Sequence, residues 1–462
     1  MAQGAAQGVP LHSERGGIGL SWQGGGVSAQ AVVPVDPRMS LAVTDKAILS
    51  KFTLTAVMNQ LAAQSGVSGL TGDTLFRQLW DTQNPVAASA FGASVPHCSD
   101  ANGTLNGFTY PCRQGANSEG GQAFTAASIK MGDYIAIGLF NRFDLAPTNG
   151  QNCGEYRIVF VKPPATTPGR NYIIFEAVLP NPRTDLGLRG CWPVADFWSN
   201  LTANSDINNR GDKLRDFYFN GLVYPYADTG LATSFGPVIH INNLGSNPGK
   251  NGQIRTNQFI TPVWLLREFK LERCSSCTPT LIARPQTVKT NPFGDLFNPN
   301  STHSLAPNFR THFITQVKNL AVNNINQFNY DVPDTFNVGQ SDSQTFNAVD
   351  DYVAQFGPGP SAFHTAIQNE LTAIGSPLRP RDIVARAQAL SCGGCHQRSN
   401  NANLGGNLTW PASVPQGGFV HNLELDDPSN ASRFAISPAL TNVFIPHRKS
   451  VFENYLNTTL AP

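Results

Sequence analysis

Apolar residues recur at three- and four-residue spacing behind Thr44-Asp45, at Ile48, Leu49, Phe52, Val57, Met58 and Leu61, and this spacing predicts a helix. A second, short helix is expected over 74–80. The period then changes. Residues 134–140, 156–161 and 172–179 are β-branched and aromatic runs bounded by Pro, Gly and Asn, the pattern of strands. Residues 237–241, 253–260 and 264–271 continue it, although the last also reads as helix-like where it runs into Cys274. Helical spacing returns over 312–328, 348–356 and 362–374, and residues 381–390 form a helix leading straight into Cys392. Residues 433–455 close the chain with a terminal helix.

These elements predict an α+β fold with no internal repeat. The expected β-rich core spans about residues 130–290, with flanking helices, long loops and further helices after 305. Residues 1–40, rich in Gly, Ser and Pro, read as an extended arm, 41–378 as the body, and 379–462 as a small α-helical C-terminal domain.

Composition narrows the partners. Charged residues make up 14% of the chain, against about 25% in an average domain. With 42 Gly and 33 Pro, much of the chain is turn and loop. A formal net charge of +1 supplies no electrostatic footprint for nucleic acid or an anionic membrane. No apolar run approaches the ~20 residues of a transmembrane helix, so neither nucleic acid nor a membrane span is expected.

The eight cysteines fall in sequence-local pairs, which points to an oxidising compartment. Cys98 and Cys112 enclose Asn-Gly turns and are expected to close a hairpin-like loop. Cys153 and Cys191 would tie a strand start to the loop after Pro180-Asn-Pro182, and Cys274 and Cys277 would close a small disulfide loop. The first residues carry neither a basic nor an apolar signal region and read as a mature N-terminus, with the signal peptide left out. The location expected is periplasmic or extracellular.

The remaining pair lies in Cys392-Gly-Gly-Cys395-His396, the C-x-x-C-H pattern of haem c attachment. Two thiols one helical turn apart can each add to a haem vinyl group, and the adjacent imidazole becomes an axial ligand. A structural disulfide beside an incidental His is the competing explanation. No Met follows Met131, so the sixth ligand is expected to be His447, then His421, or the position is open. His240, His303, His312 and His364 lie upstream. Zinc shared between Cys274-x-x-Cys277 and Cys392-x-x-Cys395 is disfavoured by their wide separation.

A helix entering C-x-x-C-H, a loop and a closing helix is similar to the layout of cytochrome c domains. The stretch Phe434-Ala-Ile-Ser-Pro-Ala-Leu-Thr-Asn-Val443 resembles the segment before the closing helix in the dihaem cytochrome c peroxidase family. This chain has one C-x-x-C-H where those enzymes have two, which excludes a relay between haems. Leu139-Phe-Asn-Arg-Phe-Asp144, Cys153-Gly-Glu-Tyr-Arg157 and Phe175-Glu-Ala-Val-Leu-Pro resemble segments of large, uncharacterised secreted proteins of Gram-negative bacteria. So do Gly252-Gln-Ile-Arg-Thr-Asn-Gln-Phe259 and Trp264-Leu-Leu-Arg-Glu-Phe-Lys. That resemblance implies an envelope or extracellular location and no particular activity.

The expected function is an exported mono-haem c-type protein in electron transfer or haem-dependent oxidative chemistry. Its partner would be a redox protein or a small-molecule substrate. A hydrolase is the rival. No G-x-S-x-G, H-E-x-x-H, Walker or Rossmann motif occurs, but Asp144, Glu155 and Glu176 cluster beside Arg142, Arg157 and Arg255. Such carboxylates could do glycosidase-type work, or could be locked in salt bridges, since Glu155 and Arg157 share a strand face. Trp192, Trp198 and Trp264 could be core or a carbohydrate platform. A stapled surface binding module without haem is the third class.

Overall fold

The computed structural model describes residues 34–458, except 86–90, 92–93, 116–117, 125–128, 164–168, 225–229, 232–233, 246–251, 259, 261–263, 278–279, 343–349 and 414–419. Most of the expected N-terminal arm therefore lies outside the described residues.

An eight-stranded antiparallel sheet organises the chain. Its strands are β1 (Ala42–Val43), β2 (Ile135–Arg142), β3 (Asn152–Lys162), β4 (Asn171–Pro180), β5 (Gln253–Gln258), β6 (Leu265–Arg273), β7 (Leu281–Gln286) and β8 (Gln340–Asp342). They pair in chain order from β1 to β7, and β8 joins β6 beside β7. The fold class is α+β, as the alternating periods require.

Both faces of the sheet are covered, which explains why β2, β3 and β4 read as continuous apolar runs. On one face, Leu139, Ile158, Phe160, Ile173 and Phe175 join a core with α1 (Leu54–Ser65), α2 (Gly72–Asp81), α3 (Trp192–Asn200) and α4 (Ile207–Phe219). The opposite parity, including Phe140, Val159, Tyr172 and Ile174, packs on α5 (Ala306–Leu320), α6 (Tyr352–Phe356), α7 (Ala362–Ala373) and α8 (Pro380–Leu390). Leu390, Cys395, Leu440 and Phe444 belong to this second core, so the segment beyond residue 379 shares its apolar interior with the sheet.

Several elements differ from the sequence expectation for local reasons. The helix expected from Thr44 breaks at Thr53, whose Oγ1 accepts from the Ala56 amide and starts α1 afresh. Residues 237–241 are not a strand. Their carbonyls are taken by side chains instead: Asn243 Nδ2 donates to Pro237 and Val238, and Gln60 and Gln64 donate to Ile239. Residues 265–273 are strand throughout, so Cys274 follows β6 rather than a helix. α5 starts at Ala306, ahead of the expected 312, with Pro307 in its first turn where a missing N–H costs nothing.

A hairpin of β9 (Asn422–Asp427) and β10 (Asn430–Ile436) stands where loop and, from 433 on, the terminal helix are expected, because its apolar alternation is only two residues long on each strand, Leu423 with Leu425 and Phe434 with Ile436. Ser429 N donates to Asp427 Oδ1 and shapes its turn. Glu424 accepts from Arg170 and from the Tyr172 hydroxyl, docking the hairpin on the sheet. The last described element is α9 (Ile445–Thr458), so the closing helix starts at 445 rather than at the expected 433.

Cys98–Cys112, Cys153–Cys191 and Cys274–Cys277 are disulfides, as their spacing predicts. Among the described residues no helix is long and apolar enough to cross a membrane.

Candidate functional site

The C-x-x-C-H segment is held at the end of α8 by Ser391. Its backbone carbonyl receives the Cys395 amide, and its hydroxyl receives the Gly394 amide while donating to Gln388 O. The chain then takes one wide π-type turn over Gly394–Arg398. Both intervening glycines are sterically required. A Cβ on Gly394 would stand 1.7 Å from Gln388 O, and one on Gly393 would stand 2.9 Å from Asp342 O. Ser341 Oγ accepts from the Gly393 amide at 2.9 Å, fixing the motif to β8.

Cys392 and Cys395 are buried and not disulfide-bonded. Cys392 packs with Trp264, Leu266 and Val288, and Cys395 faces the second core. The His396 ring lies 5.1 Å from Trp264, centre to centre, and its carbonyl accepts from Ser413.

His421, 25 positions along the chain, arrives from the other side on the lead into β9. Its ring centre is 5.0 Å from that of His396. Nδ1 contacts Ser437 Oγ at 2.9 Å and Nε2 contacts Cys395 Sγ at 3.0 Å. The Ser437 amide also donates to His421 O, so one residue positions both the backbone and the ring.

His447 takes a different place. It sits at the start of α9 near Asp144 and Arg448, burial holds it below the ordinary His range, and it does not line the cavity beside His396. The structure thus brings His421, and not His447, against His396. Upstream, His240 caps a turn, His303 stacks on Phe108, His312 reaches Asp331 O, and His364 stacks on Phe356.

A cavity of about 40 Å³ lies between this segment and the second face of the sheet, within a hollow of about 580 Å³ that opens to solvent. Phe140, Val159, Ile174 and Leu440 form its apolar walls, and His396 and His421 close one side. Arg142, Arg157, Arg255 and Arg448 also line it, and none of its lining residues is a carboxylate.

The carboxylates stand behind the arginines. Asp144 holds Arg142 through Nε and Nη2 at 3.0 and 2.9 Å. Glu155 takes Arg157 at 2.7 Å, Glu176 bridges Arg157 and Arg255 at 3.2 and 3.1 Å, and Glu268 takes Arg255 at 2.7 Å. Burial works against ionisation of Asp144, but the Arg142 and Arg448 guanidiniums outweigh it and bring the carboxyl to about 2. Glu155 is likewise held low by Arg157 and Arg142 against its burial. A glycosidase acid needs a raised pKa, the opposite of the direction for Asp144 and Glu155. Trp192, Trp198 and Trp264 are buried and form core rather than a carbohydrate platform.

Behind the motif, Asp350 accepts the Asp342 amide, and its burial raises its pKa to about 7. Ser437, Arg448 and Asn257 also line or support the site. The sequence carried no local signal for them, because each acts through a neighbour distant along the chain.

Cys392 and Cys395, with His396 and His421, are the residues that would hold a haem, which would supply a one-electron couple. Among the described residues no group of three or more His, Cys, Asp or Glu side chains is placed to hold a metal. The cavity lining includes His396 and His421 but neither Cys392 nor Cys395, and its apolar walls meet arginines that match carboxylates.

Searches against protein-family models, curated proteins and solved structures find no match to this chain.

Proposed function

We propose that this is an exported c-type protein that carries one haem on Cys392 and Cys395, with His396 and His421 as axial ligands and electron transfer as its role. The observation that carries the reading is the pairing of unoxidised Cys392 and Cys395 with two imidazoles 5.0 Å apart. Every other cysteine is in a disulfide, which fits a periplasmic or extracellular location. In such a compartment an adjacent C-x-x-C pair oxidises unless its sulfurs are otherwise bonded, and thioether bonds to haem do that. Haem supplies a one-electron couple when bound. The protein contributes the thiols, the Ser437 hydroxyl that orients His421, and a Trp264 ring that packs His396. Two imidazole ligands favour a low-potential carrier, since the thioether that raises the potential is missing.

Export with a cytochrome maturation system, followed by haem staining of a denaturing gel, tests attachment. A stained band with a six-coordinate low-spin spectrum is expected. His421→Ala should turn the spectrum high-spin and His447→Ala should leave it unchanged. An unstained band with Cys392 and Cys395 joined in a disulfide would overturn the haem reading.

One contact favours a second reading. Cys395 Sγ lies 3.0 Å from His421 Nε2, and Ser437 orients that ring through Nδ1. This is the geometry of a thiol with its general base. It predicts that Cys395 of unstained, reduced protein is alkylated by iodoacetamide faster than Cys392, and that His421→Ala removes the difference.

A further inference from the structure

We infer that the arginine end of the cavity is a carboxylate-binding subsite. Arg142 carries the argument. Its side chain is 1% exposed, and it lines the cavity, yet Nη1 is buried with no hydrogen-bond partner. An unmet guanidinium donor in the interior costs free energy that an incoming acceptor recovers. Asp144 clamps the Nε/Nη2 edge of the guanidinium, which fixes its plane. The edge that remains presents two parallel N–H groups from Nη1 and Nη2, the pattern that receives a planar carboxylate in bidentate fashion.

The local charge agrees. Arg142, Arg157, Arg255 and Arg448 face the cavity, and the carboxylates Asp144, Glu155, Glu176 and Glu268 all sit behind them. The buried Lys289 adds a further positive charge to that cluster. The space is small. About 40 Å³ holds roughly three water-sized bodies, and apolar walls of Phe140, Val159 and Ile174 suit a short hydrocarbon rather than a hydrated phosphate. The ligand is therefore a carboxylate on an apolar body. Its source is either the carboxylates of a haem held at Cys392 and Cys395, which would deepen the reading above, or a free short organic acid.

Calorimetric titration of the full-length, unloaded protein with butyrate and with its uncharged isostere butyramide tests this. Butyrate should bind at least tenfold more tightly than butyramide. Arg142→Lys, which keeps a charge for Asp144 but loses the fork, should erase at least tenfold of that preference. Independently of any variant, butyrate should protect Arg142 of the wild-type chain from phenylglyoxal, as read by peptide mapping. Equal binding of the two probes, or no binding, with Arg142 unprotected, overturns the inference.

The haem-loaded protein separates the sources. Loss of butyrate binding on loading assigns the subsite to the haem carboxylates, and retained binding assigns it to a free acid. An unstained protein that binds butyrate at Arg142 ends the haem reading and leaves this inference standing. A stained protein whose unloaded form ignores butyrate does the opposite.

Discussion

Replacing Glu176 by Gln probes the ion network under the cavity. Glu176 is fully buried and accepts from Arg157 Nη1 and Arg255 Nη1, with Gln253 Nε2 as a third donor. The substitution keeps the shape and one carbonyl acceptor but removes the charge. Each charge-assisted hydrogen bond is worth about 1.5–3 kcal/mol, and a neutral replacement retains about 1 kcal/mol of it. Two weakened bonds therefore cost about 1–4 kcal/mol. The substitution also leaves Arg142, Arg157, Arg255 and Lys289 facing only Asp144, Glu155 and Glu268. Breaking a buried pair on one side commonly costs about 3–5 kcal/mol, so a loss of about 3 kcal/mol is expected. Urea unfolding followed by tryptophan fluorescence, with the disulfides intact, measures it. Asp212→Asn in the half-exposed Lys51–Asp212 pair is the control and should change stability by less than about 1 kcal/mol. A Glu176→Gln loss no greater than that of the control would refute the argument, because it would mean that water reaching the cavity already solvates these arginines.

Three further outcomes follow from named contacts. Cys153 and Cys191 are buried and 38 residues apart, so the double Ala variant should lose about 4 kcal/mol by loop-closure entropy; a loss below 1 kcal/mol in urea unfolding would contradict this. Burial lifts Asp350 to about 7, so the stability its neutral form supplies is full below pH 4 and is lost as the pH rises through 7. At about 1.4 kcal/mol per pKa unit this amounts to about 4 kcal/mol, Asp350→Asn should flatten the decline, and parallel pH–stability curves for the two proteins would exclude the assignment. Gly394→Ala places a methyl group 1.7 Å from Gln388 O and should cost about 1–3 kcal/mol and abolish haem staining, whereas a stained, equally stable variant would show that the turn can open.

Local chemistry made several features readable in the chain alone. Period and β-branching placed β2, β3 and β4 within a few residues, because a strand buried on both faces is mostly apolar and its few charges are paired. The two-residue spacing of Glu155 and Arg157 put both on one face, where they pair. Sequence-near cysteines found each other because short loops are cheap to close. Tertiary structure decided the rest. It placed His421, and not His447, next to His396, because the β9–β10 hairpin docks on the sheet through Glu424 and carries His421 there. It gathered Arg142, Arg157, Arg255 and Arg448 around one cavity from four separate elements, and it left Arg142 Nη1 without a partner. Periodicity assigns a side chain to a face, but it cannot say which distant segment covers that face, and the burial and charge of this site depend on that cover.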